Sequence, residues 1–417
     1  MDCTVRSSSG AIHRDDPGIT ADTSRTAPDV VLLGGTRPEA VKLAPIVRAM
    51  RDQGRIRPVL VASGQHETMF GQALSSFGLS PDVRLDIERP TGSLSELLGE
   101  LVTTLDVHLE RLRPAAVVVQ GDTTTALAGA LAAFWRHIPV VHVEAGLRSH
   151  DPRAPFPEEA NRKLVAQLST LHLAPTARAV NNLLEEGIAG PEVLLIGNTV
   201  VDAVLSIART PTAYHDHRLP SLENRARTGK SRLLLATMHR RESLGAPLDG
   251  ILAGLRAIVE EHADVEVVLP VHPNPQVRNQ VVTGLLGVDR VHITGPLHYA
   301  EFCRLLSCAR LVLTDSGGVQ EEAPSFGVPC VVLREITERM EAVEAGVSVL
   351  AGPDPVLIAR HAAQLLAESR DEGSNTRPNP FGDGLAAVRA EQAIAHLLGL
   401  DTCAPAAAQQ AILAKGK

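Results

Sequence analysis

Acids and bases in this chain gather at the ends of short apolar runs, and their chemistry depends on that placement. Asp122 follows the run Val117-Val-Val-Gln-Gly121, and Glu144 follows Val140-Val-His-Val143. A Pro-rich loop then leads to Glu158, Glu159 and Arg162. Carboxyl groups set near arginines suit general acid–base work, because one can be held protonated while another stays ionised. As isolated residues, Asp122 reads equally well as a helix N-cap, and the three glutamates as a salt-bridged loop. They show no obvious metal-ligand spacing.

The second half offers positive charge and bare backbone. His239-Arg-Arg241 puts three potentially cationic groups in a row after the run Leu233–Ala236. Ser316, Gly317 and Gly318 follow Leu311–Leu313 and leave the N–H groups of a helix start uncovered, which makes a phosphate site. Glu322 shares a helix face with Gly318. A carboxylate there would repel phosphate, so it is expected to accept hydrogen bonds from ribose hydroxyls. Arg339 ends a strand-end loop and can add a guanidinium to a diphosphate. In the first half, Arg37 follows Gly34-Gly35, and Pro38 sits in the first turn of the next helix. Side chains lean toward a helix N-terminus, so Lys42 is expected to bring its charge back beside Arg37. Two solvated charges would be the plainer reading. The segment lacks Gly-x-Gly-x-x-Gly and the P-loop Gly-Lys-Ser/Thr, so neither a dinucleotide nor ATP is indicated.

The elements that must position these groups alternate between short β-branched runs and longer helical periods, the pattern of parallel sheets with crossover helices. Strands are predicted at Val30–Leu33, Pro58–Ala62, Ala115–Val119, Val140–Val143, Leu171–Leu173 and Val193–Ile196. A second series falls at Leu233–Ala236, Val265–Leu269, Val291–Ile293, Leu311–Leu313, Cys330–Leu333 and Val347–Leu350. Helices are predicted at Ala126–Arg136, Leu248–His262, Pro355–Glu368 and Gly384–Leu398. The polar stretch Pro211–Lys230 reads as a loop or short polar helix. The expected architecture is two Rossmann-like, doubly wound α/β domains facing a central cleft, with ligands at the carboxyl ends of the strands. Residues 29–205 form the first domain, completed by the helix at 384–399, and residues 206–383 form the second. Residues 1–28 and 401–417 read as a disordered and a frayed tail.

The bulk numbers exclude several classes. A chain of 417 residues is long for a single core. Its 44% hydrophobic and 21% charged residues are ordinary for a soluble protein. One Trp, two Tyr and seven Phe give no stacking platform for single-stranded nucleic acid. A net charge of −8 provides no general attraction to nucleic acid or anionic membrane. Five cysteines, odd in number and without metal spacing, suit a reducing compartment. Cys303 and Cys308 read as buried small side chains. No apolar run approaches the ~18 residues of a membrane span, and no secretory signal is visible, so the cytoplasm is expected.

In combination, Gly35-Thr-Arg-Pro-Glu-Ala40, Gly121-Asp-Thr-Thr-Thr125, His142-Val-Glu-Ala-Gly-Leu-Arg148, Pro157-Glu-Glu-Ala-Asn-Arg162, Gly197-Asn-Thr-Val-Val-Asp202, His239-Arg-Arg-Glu242, Pro270-Val-His-Pro273 and Asp315-Ser-Gly-Gly-Val-Gln-Glu-Glu322 resemble the non-hydrolysing UDP-N-acetylglucosamine 2-epimerase family. The resemblance runs from about Val30 to about Leu398. It implies the GT-B two-domain fold, a homodimer, and no metal or nicotinamide cofactor. It further implies reversible C2 epimerisation, by elimination of UDP to a 2-acetamidoglucal and re-addition from the other face. By position, the acid–base carboxylates fall on Asp122, Glu144 and Glu158, and the catalytic histidine on His239. The nucleotide-binding positions fall on Arg37, Lys42, Ser316, Gly317, Gly318, Glu322 and Arg339, with a uridine-side loop at Leu297–Phe302.

Two stretches depart from the family pattern. Ser63-Gly-Gln-His-Glu-Thr-Met-Phe70 lacks the arginine of a loop that in bacterial members helps form an allosteric UDP-N-acetylglucosamine site, though Gln65 and His66 remain. Met340 replaces a proline in Glu338-Arg-Met-Glu-Ala342. The alternative readings are a hydrolysing epimerase that releases N-acetylmannosamine and UDP, an epimerase for another 2-acetamido UDP-sugar, and a GT-B glycosyltransferase. The last would need an acceptor and has no use for three strand-end carboxylates.

Overall fold

The computed structural model describes residues 27–210, 212–238, 244–271, 274–368 and 378–401. Both expected tails lie outside them, apart from residues 27, 28 and 401.

Apolar runs, most of them four to six residues long and buried on both faces, build the first sheet. Its elements are β1 (Asp29–Gly34), α1 (Arg37–Gln53), β2 (Arg57–Ala62), α2 (Glu67–Ser75), β3 (Val83–Arg84), α3 (Leu94–Leu112), β4 (Ala116–Gln120), α4 (Thr124–Trp135), β5 (Val140–Val143), α5 (Glu158–Leu168), β6 (Leu171–Ala174), α6 (Ala177–Glu185), β7 (Val193–Leu195) and α7 (Thr199–Ala208). The strands are parallel in the order β3-β2-β1-β4-β5-β6-β7. Val31, Leu33, Val117 and Val119 face one helix layer while Val30, Leu32, Ala116 and Val118 face the other. Each such burial contributes roughly 1.5–3 kcal/mol for the larger side chains.

The second sheet is made from α8 (Leu219–Arg227), β8 (Arg232–Thr237), α9 (Ala246–Glu261), β9 (Val265–Pro270), α10 (Pro275–Gly284), β10 (Val291–Thr294), α11 (Tyr299–Cys308), β11 (Leu311–Thr314), α12 (Gly317–Glu322), β12 (Cys330–Val332), α13 (Met340–Glu344), β13 (Ser348–Leu350) and α14 (Pro355–Ala367). Its parallel order is β10-β9-β8-β11-β12-β13. In both sheets the winding reverses between the first strand of the series and a later one, at β1/β4 and at β8/β11. Side chains following those strands therefore open into a crevice.

A last helix, α15 (Ala386–Leu397), packs on α1 and α7. Asp202 accepts from the backbone N–H of Ala387 at its start, 2.9 Å. Farther along, Arg55 grips the fully buried carboxylate of Glu391 with two hydrogen bonds of 2.7 Å. Residue 205 falls inside α7, which packs on α1 as well as on α11 and α12. The change of composition comes only after that helix ends. The polar stretch after it contains α8. Cys303 is buried as expected, whereas Cys308 at the end of α11 is only half-buried. Among the described residues no helix is long and apolar enough to cross a membrane.

Candidate active site

The β1–α1 turn is built by Glu39. Its Oε2 accepts from the N–H groups of Gly35, 2.9 Å, and Thr36, 2.8 Å, which satisfies donors that a helix start leaves bare. Its Oε1 accepts from the Thr123 hydroxyl, 2.7 Å, so one buried carboxylate ties the β1 and β4 strand ends together. Burial pushes its carboxyl up to about 6 against those hydrogen bonds. At the β4 end, Gly121 takes φ +67°, open to glycine at low cost, and turns the chain so that Thr123 caps α4. Asp122 is thus not the cap. It is half-buried and ion-paired to Arg162 of α5, 2.6 Å, while Asn161 donates to its carbonyl, 2.8 Å.

Glu144 leaves β5 with φ +63°, a left-handed conformation that costs a side-chain-bearing residue roughly 1–2 kcal/mol. Glycine would adopt it without penalty, so an acid held there points to function. Gln120 donates to its Oε2. Lys42 lies 2.5 Å from its Oε1 and 3.0 Å from Oε2 of Glu321 on α12. Arg339 donates to Oε1 of Glu321, 2.9 Å, and also reaches Glu338, 3.3 Å. Its guanidinium is packed against Gly317, where an added Cβ would stand 3.3 Å from Cζ. A buried line of alternating charge, Glu144–Lys42–Glu321–Arg339, therefore joins the two sheets.

Burial pushes the Glu144 carboxyl up, helped by the like charge of Glu321 and opposed by Lys42 and Arg339. Burial also works against the charge of Glu321, but Lys42 and Arg339 together hold its carboxyl below the usual range. Burial alone would depress Lys42, yet the two carboxylates raise it.

The other expected residues fall around this line. Arg37 does not share Lys42's partners; it is exposed and lies over the Tyr299 ring, 5.6 Å to the centroid. Tyr299 donates to Glu322, 3.1 Å, and burial pushes the Glu322 carboxyl up to about 7. Ser316, Gly317 and Gly318 open α12 at the end of β11, with the Ser316 N–H turned back to Thr314, 2.9 Å. The segment Leu297–Phe302 is a loop only as far as His298. Tyr299–Phe302 is the first turn of α11, and Phe302 is packed in the core. Gln65 accepts from Thr125 of α4, 2.7 Å, and the exposed His66 precedes α2.

Glu158 begins α5 half-buried, without a hydrogen-bond or ion-pair partner among the described residues. Its neighbour Glu159 is fully buried and structural, accepting from the N–H groups of Ser149, 3.0 Å, and His150, 3.2 Å, and pairing with Arg162. Arg148 turns away to Glu186. His239, with Arg240, Arg241 and Glu242, lies outside the described residues, as do His272 and Pro273.

Glu321, Glu39 and Gln120 belong to this constellation but were not singled out in the sequence as site residues, while Arg162 was read only as a basic neighbour of the acids and Tyr299 only as part of the Leu297–Phe302 segment. The available signal for Glu321 was helix phase. It shares a face with Gly317 as Glu322 does with Gly318, so α12 offers one acid to each side.

Beneath the floor of the site, His142 is fully buried on β5 and its Nε2 donates to the Gly121 carbonyl, 2.8 Å, supporting the turn before Asp122. Burial pushes His142 down to about 3 and the adjacent His172 to about 4. Between about pH 6.5 and 4 the unfolded chain binds protons that these folded imidazoles refuse, so their contribution to stability is lost as the pH falls. Glu39 and Glu322, whose folded values are raised, act in the opposite sense over about the same range. His142→Asn should remove one of these contributions. The slope of unfolding free energy against pH, measured by urea titration between pH 4 and 6, is then shallower by up to about 1.4 kcal/mol per pH unit relative to the parent. An unchanged slope contradicts a buried neutral His142.

The family model described as UDP-N-acetylglucosamine 2-epimerase matches residues 48–395 of this chain. The UDP-N-acetylglucosamine 2-epimerase of Bacillus subtilis strain 168 is 41% identical over 361 residues, covering 86% of this chain and 93% of the relative. The S. aureus MnaA–UDP co-structure has a TM-score of 0.79 at 38% identity, covering 90% of this chain and 98% of that one. The UDP-GlcNAc 2-epimerase of Neisseria meningitidis bound to UDP-GlcNAc has a TM-score of 0.77 at 36% identity, covering 89% and 100%.

Proposed function

Since this chain belongs to the UDP-N-acetylglucosamine 2-epimerase family, with the two facing doubly wound sheets of a GT-B-like fold, we propose that it interconverts UDP-N-acetylglucosamine and UDP-N-acetylmannosamine by eliminating UDP and adding it back. In the first step a carboxylate takes the C2 proton, and the C–H electron pair becomes the C1–C2 double bond. The C1–O bond breaks with its electrons leaving on the diphosphate. In the second step a diphosphate oxygen attacks C1 while the double bond takes up a proton at C2 from the opposite face. A 2-acetamidoglucal lies between the steps. Protons move and the redox state does not change, so the route calls for no nicotinamide.

The observation that carries this reading is the buried line Glu144–Lys42–Glu321–Arg339, which sets an acid of raised proton affinity beside the cations that a departing diphosphate requires. Asp122, Glu144 and Glu158 are assigned the proton transfers. Arg37, Lys42, His239, Arg339 and the α12 start at Ser316–Gly318 are assigned to UDP, stabilising the charge that grows as the C–O bond breaks. Leu297, Phe302 and Glu322 are assigned to the uridine and ribose side. Gln65 and His66 are retained as candidates for a second, regulatory UDP-sugar contact.

Proton NMR of UDP-N-acetylglucosamine incubated with the protein in deuterated water tests the proposal. A mixture of two UDP-sugars carrying deuterium at C2 is expected. Free UDP with free N-acetylmannosamine would establish the hydrolysing alternative, and C2 protium retained in an epimerised product would exclude elimination.

A homodimer is also proposed. Support comes from Val107, Phe134, Trp135 and Leu164, large apolar side chains exposed on α3, α4 and α5, three helices packed side by side. Trp135, 61% exposed, is the chain's single tryptophan. Trp135→Glu should reduce the mass seen by sedimentation velocity from two chains toward one at micromolar concentration. An unchanged mass would place the interface elsewhere.

A further inference from the structure

Glu321 lies in the buried line but was assigned no step of the reaction proposed above, although it is only 1% exposed. Its Oε2 has no well-aligned donor and is held by the Lys42 charge at 3.0 Å, while its Oε1 takes the Arg339 guanidinium. Lys42 is thus clasped by two carboxylates carried by different sheets. A lone buried Lys–Glu pair would lock Glu144 in its ionised form, because protonating it would strand the ammonium without a partner. A carboxylate locked in one state cannot carry protons. With Glu321 present, Lys42 keeps a counter-charge whether Glu144 is ionised or neutral, and the two states of Glu144 are brought closer in energy.

We propose that Glu321 is a positioning residue for the proton transfer, anchoring Lys42 from the opposite side of the cleft and balancing its charge so that Glu144 is free to lose and regain a proton during turnover. This rests on the assignment of Glu144 as an acid–base group. Among the described residues, the charged groups facing Glu144 are Lys42 from α1, Glu321 from α12 and Arg339 from the segment ahead of α13, and Gln120 of β4 adds an uncharged donor.

The test follows kcat/KM and C2 hydrogen exchange against pH. In Glu321→Gln the like charge is gone, so Glu144 ionises more readily. The acid limb of the profile moves to lower pH by about one unit, and kcat on the plateau falls as the base weakens. A merely structural loss would lower kcat and leave the limb where it was. Glu321→Asp draws the charge back by one methylene and shifts the limb less in the same direction, and it decides the matter should the glutamine variant not fold. A limb unmoved in these variants, or moved upward, overturns the proposal. Glu144→Gln separates the two assignments: if it keeps turnover with the limb intact, the role of Glu144 has failed. If it is inactive while the Glu321 variants keep the parent limb, only the role of Glu321 has failed.

Discussion

Glu144→Gln should lose about a hundred- to ten-thousand-fold in turnover while UDP binding is kept or tightened. Glutamine has nearly the shape of the acid and can still accept from Gln120, but it cannot exchange a proton with C2. It also ceases to neutralise Lys42, so the ammonium 2.5 Å away becomes more available to a diphosphate. Turnover by anion-exchange chromatography and UDP affinity by calorimetry therefore move in different directions. Any variant that simply misfolds loses both. Turnover within a few-fold of the parent would remove Glu144 from the chemistry, and with it the reason an acid stands at φ +63° on the end of β5.

Lys42→Met should be the most destabilising single change in the cleft. The methionine preserves much of the stem volume but leaves Glu144 and Glu321, both buried, facing each other without the charge between them. Removing one partner of a buried ionic cluster costs about 3–5 kcal/mol. Without Lys42 the Glu144 carboxyl, already raised, rises further, and Glu321 loses one of the two cations that hold it down, so the folded state takes up protons at a pH where the unfolded chain does not. Its deficit is therefore fully expressed above those raised values, and shrinks as the pH falls through them toward the ordinary carboxylate range. Urea midpoints at pH 8 and pH 5.5 check this. A gap to the parent that is the same at both would mean that lost packing, not stranded charge, is the cause.

The parallel strands were legible because strands buried on both faces read as unbroken apolar runs, as in Val117–Val119 and Leu311–Leu313. The two-residue strand Val83–Arg84 gave no such signal, and α7 hid the passage between the sheets because its apolar period continues past residue 205. The strand-end rule located Asp122, Glu144 and Ser316 because it depends only on where a run stops. Side-chain direction was another matter. Lys42 leans as a helical residue should, yet its partners come from positions 144 and 321, and nothing local to α1 announces them. Choosing Glu322 over Glu321 on α12 was a choice of helix face, which the winding of the second sheet determines. Arg162 was read as a basic neighbour of the acids, and its pairing with Asp122 bridges forty positions that only the packing of α5 brings together.

The placement of α15 bears on how this protein is made. The helix that completes the packing around α1 and α7 is translated only after every strand of the second sheet, and Arg55 finds Glu391 and Asp401 only then. A nascent chain that has already built the first sheet must hold the apolar groove between α1 and α7 open to solvent while residues 209 to 385, which include the whole second sheet, leave the ribosome. That exposed groove is the surface a holding chaperone would be expected to cover during synthesis, and a premature stop anywhere ahead of Ala386 would leave it bare for good.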